Sequence, residues 1–535
     1  MSHKSYLRIL QVGLTYGWPI GLSLLLTLAT IVHIAASPEW RTNYLFSSDS
    51  VTLALFIKSL LSGEPLRWIF SSQIFFFPEA VIYVVSYLFT QSTYGSLILN
   101  SLLNGLILYG LFYWINKQLF GTRLKSQFWS VVGVALICGF SCLELQPAIN
   151  QNTFVTLYFF NTYYYGIVLA SLSIIALTIT LLTSKSLRTK KIIASVTVII
   201  VALTAMSNPL LMLQFTLPYL IVVTLLFFIN RLPGRMAILL IGIQAVGLVI
   251  AQLLRIPFKD MVGLSANSYI NINNIPSALH DLRHTISLIL VHKGSIIEYA
   301  ILGAITLFAM GYGVWLLYKA FRNRAKEQSV TFLLVLFAGT SPFIIVFTVL
   351  LTGNAYTRYF LPIAFFPLIG LFTWASQCVY TLPRRIVVII TSSIALVSLI
   401  FIGCMLPHTQ PLTHATNRDS ITCFTNSVGN RTVNAVGSFW SSRQLDLYSD
   451  NTKIRVLQVN NQLTPYPWMN NRALYARIFD TVIVDKTTPT NANVGNQHVA
   501  QLGQPDHIWE CRDFFIYQYD KNNPGYWSLN QRIHS

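Results

Sequence analysis

One feature recurs eleven times along this chain: an apolar run about as long as a lipid bilayer is thick. A helix needs about 20 residues to cross the hydrocarbon core. Such runs are read at roughly 14–36, 95–115, 128–145, 163–183, 192–206, 210–230, 236–254, 296–318, 329–351, 360–380 and 386–406. After Met405 they stop. From Pro407 to Ser535 polar residues alternate with short β-like segments. The pattern predicts a polytopic α-helical membrane protein, with about 11 transmembrane helices in residues 1–406 and a small α/β domain in residues 407–535. Composition agrees, with 54% hydrophobic and only 10% charged residues, against about 25% charged in soluble domains.

The formal net charge is +18. In a soluble protein that would point to nucleic acid. Its distribution gives a different cause. Lys4, Arg8, Lys117, Arg123, Lys125, Lys185, Arg188, Lys190, Lys191, Arg231 and Arg235 all fall on one side of the predicted spans. So do Lys319, Arg322, Arg324, Lys326, Arg384 and Arg385, and Glu327 is the sole acidic residue among these segments. Cytoplasmic loops carry such an excess of Lys and Arg. The N-terminus is therefore expected inside, and eleven spans put the C-terminal domain outside. Nucleic acid is not an expected partner. Residues 78–90, PEAVIYVVSYLFT, are apolar but short for a crossing. Counting them would invert every later loop, so they are read as a helix on or dipping into the outer surface. The first run lacks a small-x-small exit site and is long enough to span, so no cleavable signal peptide is expected.

Cys138, Cys142, Cys378 and Cys404 lie in or beside spans and read as small packing residues. Cys423 and Cys511 lie in the C-terminal domain. An oxidising compartment permits a disulfide between them, but spacing does not establish its geometry. In that domain 433–439, 453–459, 481–486 and 514–519 have strand composition. SSRQLDLYS and NNRALYARIF have helical spacing between them. No glycine-rich phosphate loop occurs.

The polar candidates for chemistry cluster at the outer face of the spans. Asp49 opens the amphipathic stretch DSVTLALFIKSLLSG. It reads either as a helix N-cap or as a carboxylate aimed into a cavity, acting as base or metal ligand. Glu79 follows Pro78 at the head of a short apolar helix. It is either a first-turn Glu favoured by the helix dipole or a carboxylate facing a polar cavity, since charge beside hydrocarbon is costly. Arg358, in GNAYTRYFLP, is followed by Tyr359. Its planar fork suits a phosphate; the alternative is snorkelling beside an aromatic anchor. His280 and His284, in HDLRH, are spaced for one helical face, which fits a metal or a plain surface helix. Asn161, Tyr163, Tyr164 and Tyr165 (NTYYYG) and Asn208 head two spans where sugar hydroxyls or an interfacial belt would sit. No acid or base stands near the midplane of a span, and no repeat is evident. This disfavours a lipid or polysaccharide transporter; a non-catalytic scaffold is the other alternative.

Taken together, these features resemble the GT-C superfamily of membrane glycosyltransferases. The shared elements are an Asp soon after the first span (Asp49), an aromatic loop ending in FFFPEAVIY, and Arg358-Tyr359 with Pro362 before a late span. A C-terminal extracytoplasmic domain completes them. The resemblance implies a bacterial inner-membrane enzyme using a lipid-linked sugar on a polyprenyl phosphate. Its acceptor would be a polysaccharide, lipid or protein. Asp49 and Glu79 would be catalytic or hold a divalent cation, which some members need, and Arg358 and Tyr359 would meet the donor phosphate. Some relatives carry His near the NTYYYG cluster and Asp near Asn208; this chain has Tyr and Asn there.

Overall fold

The computed structural model describes residues 3–144, 154–160, 164–263, 271–323, 329–378, 383–409, 416–449, 453–486 and 493–535. Hydrocarbon offers no hydrogen-bond partner to a peptide group, so apolar runs must satisfy their backbone as helices. The first part of the chain folds as α1 His3–Ala36, α2 Pro38–Leu45, α3 Thr52–Leu61, α4 Val81–Thr90, α5 Thr93–Phe120 and α6 Arg123–Leu143. There follow α7 Tyr165–Thr183, α8 Leu187–Ser207, α9 Leu217–Phe228, α10 Gly234–Arg255 and α11 Ile275–Val291. The bundle closes with α12 Lys293–Asn323, α13 Ser329–Leu351, α14 Phe366–Gln377 and α15 Arg384–Met405. Among the described residues, ten helical segments are long and apolar enough to cross a membrane. This is a multi-pass membrane protein.

The eleventh apolar run, 210–230, forms the shorter helix Met212–Phe228. Geometry makes it a crossing too. Phe77 N–H donates to the Ser207 hydroxyl at 3.0 Å, and Arg255 donates to the Ser72 carbonyl at 2.5 Å. The last residues of α8 and α10 thus meet the same short loop. α10 has 22 residues, about 33 Å at the helical rise. The chain from Ser207 to Gly234 therefore runs the height of the bundle. Helix Phe76–Thr90 does not. Phe77 sits beside Ser207, and Thr90 Oγ1 lies 2.9 Å from Ser96 Oγ at the head of α5. Both its ends stay at the face that carries the C-terminal domain.

That domain holds α16 Thr416–Val428, α17 Phe439–Tyr448, α18 Asn496–Val499 and α19 Pro524–His534. Its strands are β2 Val433–Gly437, β3 Ile454–Gln458, β5 Thr481–Asp485, β6 His507–Glu510 and β7 Phe514–Gln518, in the order β3-β2-β5-β7-β6. The β3-β2-β5 half is parallel and the β5-β7-β6 half antiparallel. β6 gives no alternating signal, because His507 and Ile508 are both exposed. NNRALYARIF is not a helix. Asn470–Asn471 forms β4, paired with β1 Trp68–Ile69 of the first long loop, and Arg472–Ala476 is a 3-10 turn. A pairing partner about 400 positions away overrides the local spacing.

Cys423 and Cys511 are disulfide-bonded with Cα atoms 5.8 Å apart, tying α16 to the end of β6 across 88 positions. Loss of a native bridge from a small extracellular domain costs about 2–5 kcal/mol. Cys423→Ser should sensitise the C-terminal domain to limited proteolysis while leaving the bundle resistant. Mass mapping of protein alkylated without reductant should find both wild-type thiols blocked.

Candidate functional site

Where the first long loop, the head of α7, the end of α10, the loop before α14 and the C-terminal domain converge, they enclose a cavity of about 680 Å³. Its wall includes Asp49, Ser72, Gln73, Tyr164, Gln252, Arg255, Asn354, Arg358, Tyr359 and Trp468. Amides and hydroxyls stand among aromatic rings, with one carboxylate and two guanidinium groups in the described wall. That is the chemistry of a polar, anionic ligand with an apolar body.

Asp49 and Arg358 meet there. Arg358 Nη1 lies 3.4 Å from Asp49 Oδ2, and each side chain is about a quarter exposed. Asp49 is not a helix cap. The N-cap position of α3 is Val51, and no side chain caps it. The carboxylate meets the guanidinium of a residue 309 positions away. Arg358 rises from the 3-10 helix Thr357–Ala364, which Gln214 anchors by donating to the Tyr359 carbonyl at 2.7 Å. Its guanidinium stands 5.0 Å from the Tyr356 ring centre and 5.7 Å from that of Tyr359. Tyr359 in turn meets Tyr164 edge-on, and Tyr164 meets Phe75. The two rings flank the guanidinium and restrain its orientation by cation–π attraction, and its fork presents several donors at once.

Glu79 is fully buried and does not line the cavity. Its carboxyl lies against the backbone of Gly166 at the start of α7. Burial pushes its pKa up to about 8, opposed by backbone hydrogen bonding that includes Gly166. A carboxyl at a helix N-terminus meets unsatisfied N–H groups there. This contact packs the turn before α4 against the start of α7. Asn208 is likewise buried, with its Oδ1 accepting from the Leu210 N–H at 3.2 Å, and its neighbours Pro209 and Leu210 reach the cavity. His280 and His284 lie on the exposed face of α11; the His280 side chain is 81% exposed beside Asp281. The fold does not bring them to the cavity. Asn161 and Tyr163 lie outside the described residues.

A divalent cation fits the wall poorly. Among the described residues no group of three or more His, Cys, Asp or Glu is placed to hold a metal, and Arg358 already faces the one cavity carboxylate. Hard cations take six or more oxygen ligands.

Further residues stand at or near the cavity. Arg255 ends α10 and lines the wall, donating to the Ser72 carbonyl. Tyr466 and Trp468 come from the C-terminal domain; burial, and secondarily the Asp49 charge, raises the Tyr466 hydroxyl above its ordinary range. Arg443 is fully buried in α17 and grips the backbone beside Asp49. Away from the cavity, Glu144 accepts N–H groups of Phe154, Val155 and Thr156 at 2.9, 2.6 and 2.8 Å. Glu298, in the second turn of α12, is buried near it.

No family model matches the sequence, and no curated protein matches it. Solved structures do. ArnT from Cupriavidus metallidurans, bound to undecaprenyl phosphate, aligns over 92% of this chain and 97% of its own, with a TM-score of 0.50 at 11% identity. At that identity the likeness is one of fold. An oligosaccharyltransferase from Archaeoglobus fulgidus aligns over 86% of this chain and 68% of its own, at a TM-score of 0.39 and 11% identity.

The Glu79 seat makes a sharp test. A Cβ on Gly166 would stand 2.5 Å from the Glu79 carboxyl, and overpacking typically costs about 1–3 kcal/mol. Gly166→Ala should lower the thermal midpoint of the purified protein. Gly166→Ala with Glu79→Ala, which vacates the space, should recover part of that loss.

Proposed function

We propose that this protein is a membrane glycosyltransferase. It moves a sugar from a polyprenyl-phosphate-linked donor to an envelope glycan, lipid or protein on the extracytoplasmic side of a bacterial inner membrane. The observation that carries the reading is the meeting of Asp49 and Arg358 in a cavity at the seam between bundle and C-terminal domain. The GT-C fold supports it, as does an ArnT structure that binds undecaprenyl phosphate. The bias of Lys and Arg toward the opposite end of the spans supports the sidedness.

The chemistry follows from the groups in place. A lipid phosphate is already a competent leaving group, so the chain needs no nucleotide-binding fold. An acceptor hydroxyl attacks the anomeric carbon of the donor. The new C–O bond forms as the bond from that carbon to the phosphate oxygen breaks, and the electron pair leaves with the phosphate. Asp49 takes the hydroxyl proton. Arg358 faces the growing phosphate charge, and its fixed orientation avoids reorganisation at the moment of reaction. Arg255 adds a second positive charge to the same wall. In the resting state Arg358 pairs with Asp49; a bound phosphate competes for the guanidinium and frees the carboxylate for the proton.

Asp49→Asn keeps the shape and removes the proton acceptor. Comparison of envelope lipids and glycans by mass spectrometry, with and without the gene, should reveal one lost modification. Wild type should restore it, and Asp49→Asn should restore it at a rate about 10²–10⁴-fold lower. An unchanged envelope profile on deletion would defeat the enzyme reading. Arg358→Lys keeps charge but loses the planar fork. Undecaprenyl phosphate should raise the thermal midpoint of the purified wild type and protect Arg358→Lys much less. Equal protection would move the phosphate site away from Arg358.

A further inference from the structure

Asp49 lies in a short connection, not within a regular element: α2 ends at Leu45 and α3 begins at Thr52. A base on such a connection holds its direction only if something outside it fixes the backbone. The fixing group comes from the C-terminal domain. Arg443 in α17 donates from Nε to the Ser48 carbonyl at 3.0 Å, and from Nη2 to Thr52 Oγ1 at 2.7 Å. These two acceptors flank Asp49 in sequence. The third donor, Nη1, bonds the Met469 carbonyl. Met469 lines the cavity beside Trp468 and holds a left-handed backbone at φ 55°. A non-glycine residue stays there only when its surroundings over-determine it. The Ser48 hydroxyl returns the contact, donating to the Phe439 carbonyl at 2.6 Å.

The guanidinium is completely buried. Burial pulls its pKa down to about 10, and the charge of Asp49 is the first influence opposing that shift. All its acceptors are neutral. A buried cation held by neutral partners costs several kcal/mol of desolvation. Neutral side chains would join two surfaces at less cost. What only Arg supplies is a planar fork that binds three acceptors from two distant segments at once.

We propose that Arg443 is a positioning residue for the transfer reaction: it clamps the Ser48 carbonyl and the Thr52 side chain, on either side of Asp49, and the Met469 wall of the C-terminal domain into one rigid unit. The inference rests on the glycosyltransferase reading above. Under it the C-terminal domain forms one half of the reaction chamber and sets the aim of the base. Arg443 touches neither donor nor acceptor in this scheme. It acts through Asp49.

The test uses the full-length purified protein and the variant Arg443→Lys, which keeps the charge and reaches fewer acceptors. Hydrogen–deuterium exchange should become at least about tenfold faster over residues 46–54 and 465–471, with the spans unchanged. Thermal protection by undecaprenyl phosphate should match wild type, because Arg358 and Arg255 are untouched. In the cell-envelope assay the rate of product formation should fall about 10- to 100-fold at equal folded protein. Thr52→Val, which removes one acceptor and little volume, should give the same pattern at smaller size and serves if Arg443→Lys does not fold. Unchanged exchange in both segments overturns the clamp. Faster exchange with undiminished product formation overturns its link to catalysis. If deletion of the gene leaves the envelope unaltered, the glycosyltransferase reading falls, and the exchange result still decides whether the clamp exists.

Discussion

Every peptide group inside the bilayer must be satisfied without water, and this sorts the whole molecule. Regular helix fills the spans. Irregular backbone collects at one face: the connection around Asp49, the 3-10 segments Thr156–Phe159 and Thr357–Ala364, and the π-turns at Phe76–Ala80 and Met212–Thr216. Those segments supply or back the cavity. Irregular backbone can aim side chains in directions that a helix forbids, and there it pairs with protein groups. The Tyr44 hydroxyl takes the Leu97 carbonyl, the Ser101 hydroxyl the Phe159 carbonyl, and Gln214 the Tyr359 carbonyl.

Charge follows the same logic. Three buried or half-buried guanidinium groups organise the seam. Arg358 faces Asp49, Arg443 grips the loop that carries it, and Arg455 pairs with Glu64 at 2.5 Å and Asp446 at 3.7 Å. Each links the first long loop to a distant segment, and two of the three reach from the C-terminal domain. The β1–β4 pairing and the bond from the Tyr448 hydroxyl to the Leu45 carbonyl at 2.6 Å reinforce the seam. A domain held this firmly is a wall of the chamber, not a tethered appendage.

Buried carboxyls are accommodated differently. Glu79 rests at the N-terminus of α7, in the space that Gly166 leaves open. Glu144 accepts three successive backbone N–H groups. For Glu144, main-chain donors take the place of a cation. Asp49, about a quarter exposed and facing arginine at the cavity wall, differs from both.

The sequence alone determined what the solvent dictates. Run length fixed the spans, because hydrocarbon thickness is a hard constraint on helix length. Strand composition located β2, β3, β5 and β7. Asp49, Arg358, Tyr359 and Tyr164 were legible as polar or aromatic residues at one end of the spans, and the fold brings them to one wall. Tertiary structure decided the rest. It buried Glu79 against Gly166, apart from the wall that holds Asp49, and it left His280 and His284 on an open helix face. NNRALYARIF became a strand pair and a turn because β1 offered a partner. Arg443 carried no signal at all, since its meaning lies in acceptors at Ser48 and Thr52, nearly four hundred positions earlier. Local patterns record what each segment must hide from water or lipid. Which hidden groups face one another is set only when the segments pack.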